Sequence, residues 1–501
     1  MADSFLSLPW QMGTVVLPLA AAGICFMLPG WLSPVAILVG GGVVLCLFSL
    51  TCRVALDGPF RYALGGWGAP LGIDQAVDGP AVLMLLMTAL VGMAVSWYAG
   101  AYFALLRQQE QRGGPSNGLR RFFWPLWFLL WAGLNNLFLT ADIFNQYVSL
   151  EIIGLAAVAL TSLSGAIEAK IAAMRYLLVN MAASLFFLLG VALLYGRYGV
   201  LDLPALGRIL VPDEATRLAF ALIVAGLLFK SAVFPLHFWL PPAHANALAP
   251  VSALLSALVV KAGFYITLRF WFGIFAPFAT ADAANVMGIL GVGALAWGSV
   301  QAMRQERFKM LVAWSTVAQL GYLPLILALA GTGEHRNVAL FTALLFMMSH
   351  ATAKAAMFLA GGTIHLALGD DLVGRRPGPA RGKLPLTAFA LAVAGLALIG
   401  TPPGGFFTVK WSILTMALAG GHWWWGIAAM GGSLLAAIYI YRLLRPWFHR
   451  QGEDAAIALG GYARLQWIPL CLALTSLALG FLAPALSSLA GGHTATTGGV
   501  P

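Results

Sequence analysis

Along the 501 residues, apolar runs of about 20 follow one another from end to end, separated by short polar stretches. A helix of that length crosses the roughly 30 Å hydrocarbon core of a bilayer. The pattern predicts about fourteen spans, at 13–30, 33–55, 80–104, 122–140, 143–164, 172–195, 217–234, 248–270, 285–303, 309–329, 338–361, 386–412, 423–444 and 465–489. Alternating segments of about ten residues, which build membrane barrels, do not stand out, so the expected class is an all-α integral membrane protein. Two spans are interrupted. The seventh runs into Pro235, Pro241 and Pro242, and the twelfth meets Pro402 and Pro403 followed by two glycines.

Composition agrees: 60% of residues are hydrophobic and 9% charged, where a soluble domain carries roughly 25% charged residues. The formal charge of +10 changes meaning once the charges are placed. With residue 1 outside, 17 of the 28 lysines and arginines fall in inner connections and 7 in outer ones. That bias favours both termini outside a bacterial-type cell membrane, and makes the basic balance a matter of orientation rather than of nucleic-acid binding. The start, MADSFLSLPWQ, has no basic leader region, so no cleaved signal peptide is expected. The four cysteines show no metal-ligand spacing. No metal or cofactor motif stands out, so no electron chemistry is expected of this chain.

The count leaves four cations, Lys230, Lys261, Lys354 and Lys410, each inside an apolar span. A charged lysine at mid-bilayer costs about 2.5–3.5 kcal/mol on insertion scales, so four together call for a function. Glu151 is the acid that sits well within a span, and is read as the counter-ion of a buried lysine. Asp142, nine residues earlier, falls about 180° away on the helix wheel and suits a helix start. In span eleven His350 and Lys354 are i, i+4, and His365 lies eleven residues beyond Lys354, about 20° round. This stripe reads as a proton path, and His237 and His244, in the first broken stretch, extend it. A broken helix frees backbone groups, tolerable only where they line a polar cavity. Lys230 precedes the break at Pro235 and Lys410 follows the break at Pro403, the placement expected of an inverted pair.

The stretches "LTADIFNQYVSLEIIG", "FKSAVFPLHFWLPPAHANALAPVSALLSALVVKAG" and "RFKMLVAWSTVAQLGY" strongly resemble the antiporter-like subunits shared by complex I and Mrp-type cation/proton antiporters. "GGWGAPLGI" and "AHANA" look nearest to the D subunit of the Mrp group. The resemblance implies fourteen helices in two inverted five-helix repeats, helices 4–8 and 9–13, with helices 7 and 12 broken. The chain then divides into residues 1–121, the repeats 122–272 and 273–446, and a closing segment 447–501. It also implies that Glu151, Lys230, Lys261 and Lys410 carry proton translocation. The family pattern would place an aspartate where this chain has Pro242.

Desolvation disfavours a charged amine and a nearby carboxylate restores it. Making or breaking Glu151–Lys230 would therefore switch Lys230 between holding a proton and passing it on. The expected function is proton translocation within a multi-subunit complex, as a Mrp-type antiporter subunit exchanging protons for Na+ or K+. The alternatives are a proton-pumping subunit of a complex I-like or hydrogenase complex, a stand-alone solute carrier, and a membrane partner in inorganic-carbon uptake. Expected partners are other hydrophobic subunits and the lipid bilayer.

Overall fold

The computed structural model describes residues 8–28, 32–111, 118–330, 335–369, 371–373, 384–448 and 462–491. Both chain ends, together with Arg112, Arg375, Arg376, Arg381, Lys383 and Arg450 of the charge count, lie outside the described residues.

Helices form wherever the apolar runs lie. They are α1 (Trp10–Met27), α2 (Leu32–Asp57), α3 (Gly79–Gln111), α4 (Phe123–Leu139), α5 (Ile143–Ser162), α6 (Ile167–Tyr198) and α7a (Glu214–Lys230). After the first break come α7b (Leu240–Asn246), α8 (Ala249–Trp271), α9 (Ala281–Arg304), α10 (Phe308–Leu329) and α11 (His335–Leu368). The second break separates α12a (Pro385–Ile399) from α12b (Gly405–Ala419), and α13 (Trp423–Phe448) and α14 (Ala463–Gly491) follow. Among the described residues, twelve helices are long and apolar enough to cross a membrane. The exceptions include the two interrupted segments, whose backbone the prolines divide as expected.

One element departs from the all-α expectation. In the polar stretch 57–79, β1 (Phe60–Ala63) pairs antiparallel with β2 (Asp74–Val77), Phe60 opposite Val77. Gly65 and Gly66, at φ 64° and 81°, turn the chain after β1; glycine occupies that left-handed region without steric cost.

The connections sort into two sets, as alternating spans require. In one, Arg61 faces Asp74 and Asp202, Arg269 pairs with Asp78 at 2.5 Å, and Arg197 pairs with Asp213. Aspartates of this set also cap helices: Asp142 accepts from Asn145 N at 2.6 Å, Asp202 from Ala205 N and Asp213 from Thr216 N. The other set joins Arg120 to Glu110 and Arg307 to Asp371 and Asn246. Capping side chains satisfy the free amides that each helix start exposes.

Burial is graded across the bundle. The apolar stretches of α8 and α11 are wholly buried and that of α10 nearly so, while α1, α13 and α14 are buried along about a third of theirs. Outer helices present Leu38, Phe48, Leu185, Leu434 and Phe481 outward, the apolar coat a bilayer requires. Close packing at the centre depends on small residues. A Cβ on Gly291 of α9 would lie 2.6 Å from Gly321 O and 3.0 Å from Leu325 N of α10, so these backbones touch.

Gly291→Val is expected to cost about 1–3 kcal/mol by overpacking. Gly23→Val, whose Cβ would meet nothing within 4 Å, is expected to be nearly neutral. Thermal unfolding of the two variants in mild detergent compares them; equal melting temperatures would refute the α9–α10 contact.

Candidate functional site

The four buried lysines lie on α7a, α8, α11 and α12b, each between 0% and 8% exposed. Each has found different acceptors.

Lys230 is the last residue of α7a. Its Nζ donates to Glu151 Oε1 at 3.1 Å and to Asn180 Oδ1 at 2.8 Å. Ser184, one turn after Asn180 on α6, donates to the same Glu151 oxygen and lies 2.8 Å from the Asn180 carbonyl. A hydroxyl has one proton, so Ser184 serves one acceptor at a time. Asp142, by contrast, caps α5, as its position on the wheel predicts. Beyond Lys230 the chain passes Ala232 at φ 51°, a left-handed conformation strained for any residue with a Cβ. Trp239 Nε1 reaches back to Phe229 O at 3.1 Å, a carbonyl near the end of α7a that also accepts from Ala232 N, and its ring stacks on Tyr176 at 4.1 Å. The chain resumes as α7b, where Pro241 and Pro242 occupy the first turn; that turn needs no amide donors, so proline fits at position 242.

Lys261 follows a π-helical turn, Leu255–Val259, within α8. Its Nζ donates to the Ser256 carbonyl and lies 2.7 Å from His350 Nδ1. An ammonium offers only donors, so a charged Lys261 fixes His350 with its proton on Nε2. Lys354, one turn further along α11, reaches α10 instead, with Ser315 Oγ at 2.5 Å and Val312 O at 3.3 Å. Lys410 on α12b donates to Leu398 O at 3.0 Å and Ile399 O at 2.8 Å, the last carbonyls of α12a. A helix C-terminus carries partial negative charge, and the Tyr322 ring face 5.0 Å away adds to it. Gly400, at φ 93°, leaves room for this lysine; a Cβ there would sit 2.8 Å from Lys410 Cδ.

The histidines divide. His350 is in the row. His237, in the first break, packs between Phe234 and Trp314 at 5.5 and 5.4 Å. His244 is fully buried against Phe358, and neither of its ring nitrogens has a hydrogen-bond partner. Neither bonds to a lysine among the described residues. His365 lies exposed in the last turn of α11. The wheel places it on the right face, but eleven residues carry it about 16 Å along the axis from Lys354, beyond the buried row. Sequence reasoning also missed Asn180, Ser184, Ser256 and Ser315. The first two were detectable as an i, i+4 polar pair within the apolar middle of α6.

Together, the fold and the buried row define a polytopic helical membrane protein with an internal ionisable axis. The chain belongs to the family described as NADH:quinone oxidoreductase/Mrp antiporter, TM, which matches residues 140–436. It is 36% identical over 391 residues to the N subunit of the NADH-quinone oxidoreductase of Desulforudis audaxviator, covering 77% of this chain and 75% of that one. It is 28% identical over 452 residues to the D subunit of the Na(+)/H(+) antiporter of Alkalihalophilus pseudofirmus, covering 88% and 87%. Among solved structures, the Mrp complex from Dietzia sp. matches with a TM-score of 0.84 at 25% identity, over 96% of both chains. The archaeal membrane-bound sulfane sulfur reductase matches at 0.83 with 27% identity, again over 96% of both.

Asn180→Leu removes one of the two acceptors of the Lys230 ammonium and is expected to cost about 1–3 kcal/mol. With Lys230 already replaced by Met, the same change is expected to cost far less, since the acceptor has lost its donor. Thermal unfolding of the four proteins measures the coupling, and strictly additive losses would show that Asn180 does not hold Lys230.

Proposed function

We propose that this chain is the proton-translocating subunit of a multi-subunit membrane complex, most simply the D subunit of a Mrp-type monovalent cation/proton antiporter or its equivalent. The observation that carries this reading is the Glu151–Lys230 ion pair at the head of a buried row of lysines. Lys230 holds its proton while Glu151 faces it. When the pair opens, Asn180 alone holds Lys230 and the proton passes on toward Lys261 and His350, then Lys354 and Lys410. The breaks beside Lys230 and Lys410 are the two half-channels, and residues 122–272 and 273–446 are two inverted repeats. Lysine at the end of α7a and lysine after the break in α12b support that symmetry.

A second reading is a proton-pumping subunit of a complex I-like redox complex, favoured by the relative from an NADH-quinone oxidoreductase. The two readings share one proton mechanism and differ in partners: small hydrophobic subunits alone in the first, iron–sulfur or nickel–iron proteins in the second.

Proton/cation exchange by the assembled complex in sealed vesicles tests the mechanism. Glu151→Gln and Lys230→Ala are each expected to lower the rate about tenfold or more, equivalent to at least ~1.4 kcal/mol of barrier. The double change is expected to be little worse than either, the non-additivity of groups in direct contact. Wild-type rates in Glu151→Gln, or losses that simply multiply, would sink the switch.

The arginine bias of the connections supports both termini outside the cell membrane. A reporter fused after Pro501 is expected to report the outside; activity confined to the cytoplasm would reverse the orientation.

A further inference from the structure

Away from the lysine row, a groove of about 850 Å³ opens on the membrane-facing surface between α2, α3 and α14. On α3 it runs from Leu90 past Trp97 to Ala104, and on α14 from Thr475 past Cys471 and Trp467 to Arg464. Residues 90, 94, 97, 101 and 104 recur at helical spacing, as do 464, 468, 471 and 475, so each helix contributes one continuous face. The two helices run in opposite directions along the groove, bringing Ala104 and Arg464 to the same end.

Its length selects the occupant. The stretch Leu90–Ala104 of α3 spans about 21 Å and Arg464–Thr475 of α14 about 16 Å. One leaflet of a bilayer core is about 15 Å deep, half of roughly 30 Å. A transmembrane helix from a neighbouring subunit would need a groove through both leaflets. This one, at about 16–21 Å, matches the length of one leaflet far better than the roughly 30 Å of both, as an acyl chain does. Its walls are apolar and its mouth is not. Arg464 stands there in the first turn of α14, exposed and without a carboxylate partner among the described residues. Trp467 and Trp97, 53% and 64% exposed, line the walls between.

We propose that this groove binds one anionic phospholipid, with an acyl chain along α3 and α14 and the phosphate on the Arg464 guanidinium. Small residues at the mouth, Gly100, Ala101 and Ala104, leave width for the glycerol and headgroup. A guanidinium matches phosphate oxygens in a two-pronged geometry that an ammonium does not reproduce, and basic pockets between membrane helices recognise acidic headgroups by charge. The site is independent of proton transfer, because no residue of the lysine row lines it.

The test uses the assembled complex in phosphatidylcholine vesicles carrying a small fraction of either brominated phosphatidylglycerol or brominated phosphatidylcholine. Bromine quenches tryptophan at contact, and the signal lost in Trp467→Phe isolates the groove. Phosphatidylglycerol is expected to quench that component about fivefold more effectively at equal mole fraction, the enrichment one juxtamembrane arginine allows. Arg464→Gln is expected to remove the difference, and Arg464→Lys to retain part of it. Equal quenching by the two lipids in the unaltered protein would overturn the proposal, as would full discrimination surviving in Arg464→Gln. A Trp467 component that neither lipid reaches would also overturn it, because a neighbouring subunit would then occupy the groove.

Discussion

A lysine ammonium in a membrane interior must be surrounded by acceptors, and most irregularities of this fold lie where one is supplied. Regular helices offer almost none, because their carbonyls are committed to their own amides. The end of α7a, the π-helical turn of α8 and the divided α12 are each places where that commitment lapses. Each lies beside a lysine. The π-helical turn and the division of α12 bring carbonyl oxygens to Lys261 and Lys410, whereas Lys230 and Lys354 take their acceptors from the unbroken helices α5, α6 and α10; each charge is one that apolar surroundings would otherwise expel.

The acceptors differ along the row, and the proposed mechanism rests on that difference. Lys230 has a full carboxylate, Lys261 an imidazole nitrogen and a carbonyl, Lys354 a hydroxyl and a carbonyl, and Lys410 two carbonyls at a helix end with an aromatic face. Glu151 is the one carboxylate bonded to a lysine of the row among the described residues. Like charges in a poorly screening interior repel one another, which makes the one carboxylate beside the row the more consequential. In the proposed mechanism that single counter-charge decides where a proton waits, and the weaker acceptors let it leave.

Much of this was legible in the sequence, because hydropathy and buried charge are written residue by residue. The spans, the two interruptions, the capping role of Asp142 and the pairing of Glu151 with a lysine needed only periodicity and the cost of burial. Partner choice was harder. The spacing of His350 and Lys354 suggests a common stripe, yet His350 meets Lys261 of α8 while Lys354 meets Ser315 of α10. Residues four apart share a face, but long side chains reach whichever helix packs nearest, and packing partners are not encoded at fixed spacing. The misplacement of His365 has a simpler origin: a wheel projects away the helix axis, so angle is kept and height is lost. The β1–β2 hairpin escaped because four-residue strands in a polar connection are too short to show periodicity.

Packing around Lys230 also explains how a proton event could reach beyond one side chain. Gly263 of α8 lies against α7a so closely that a Cβ would approach Ser231 Oγ to 2.7 Å and Lys230 Cβ to 3.4 Å. Two residues earlier on the same helix is Lys261, and eight residues beyond Lys261 is Arg269, bonded to Asp78 at the start of α3. Interiors packed at this density transmit displacement instead of absorbing it. In the proposed switch, a displacement of Lys230 is transmitted to α8, the helix that carries the next lysine and whose far end is tied to α3. The strained turn at Ala232 lies two residues beyond Lys230, where α7a stops being a helix. In the proposed mechanism the ion pair thus sets the position of α7a against α8, and the anchored end of α8 gives that position a fixed reference.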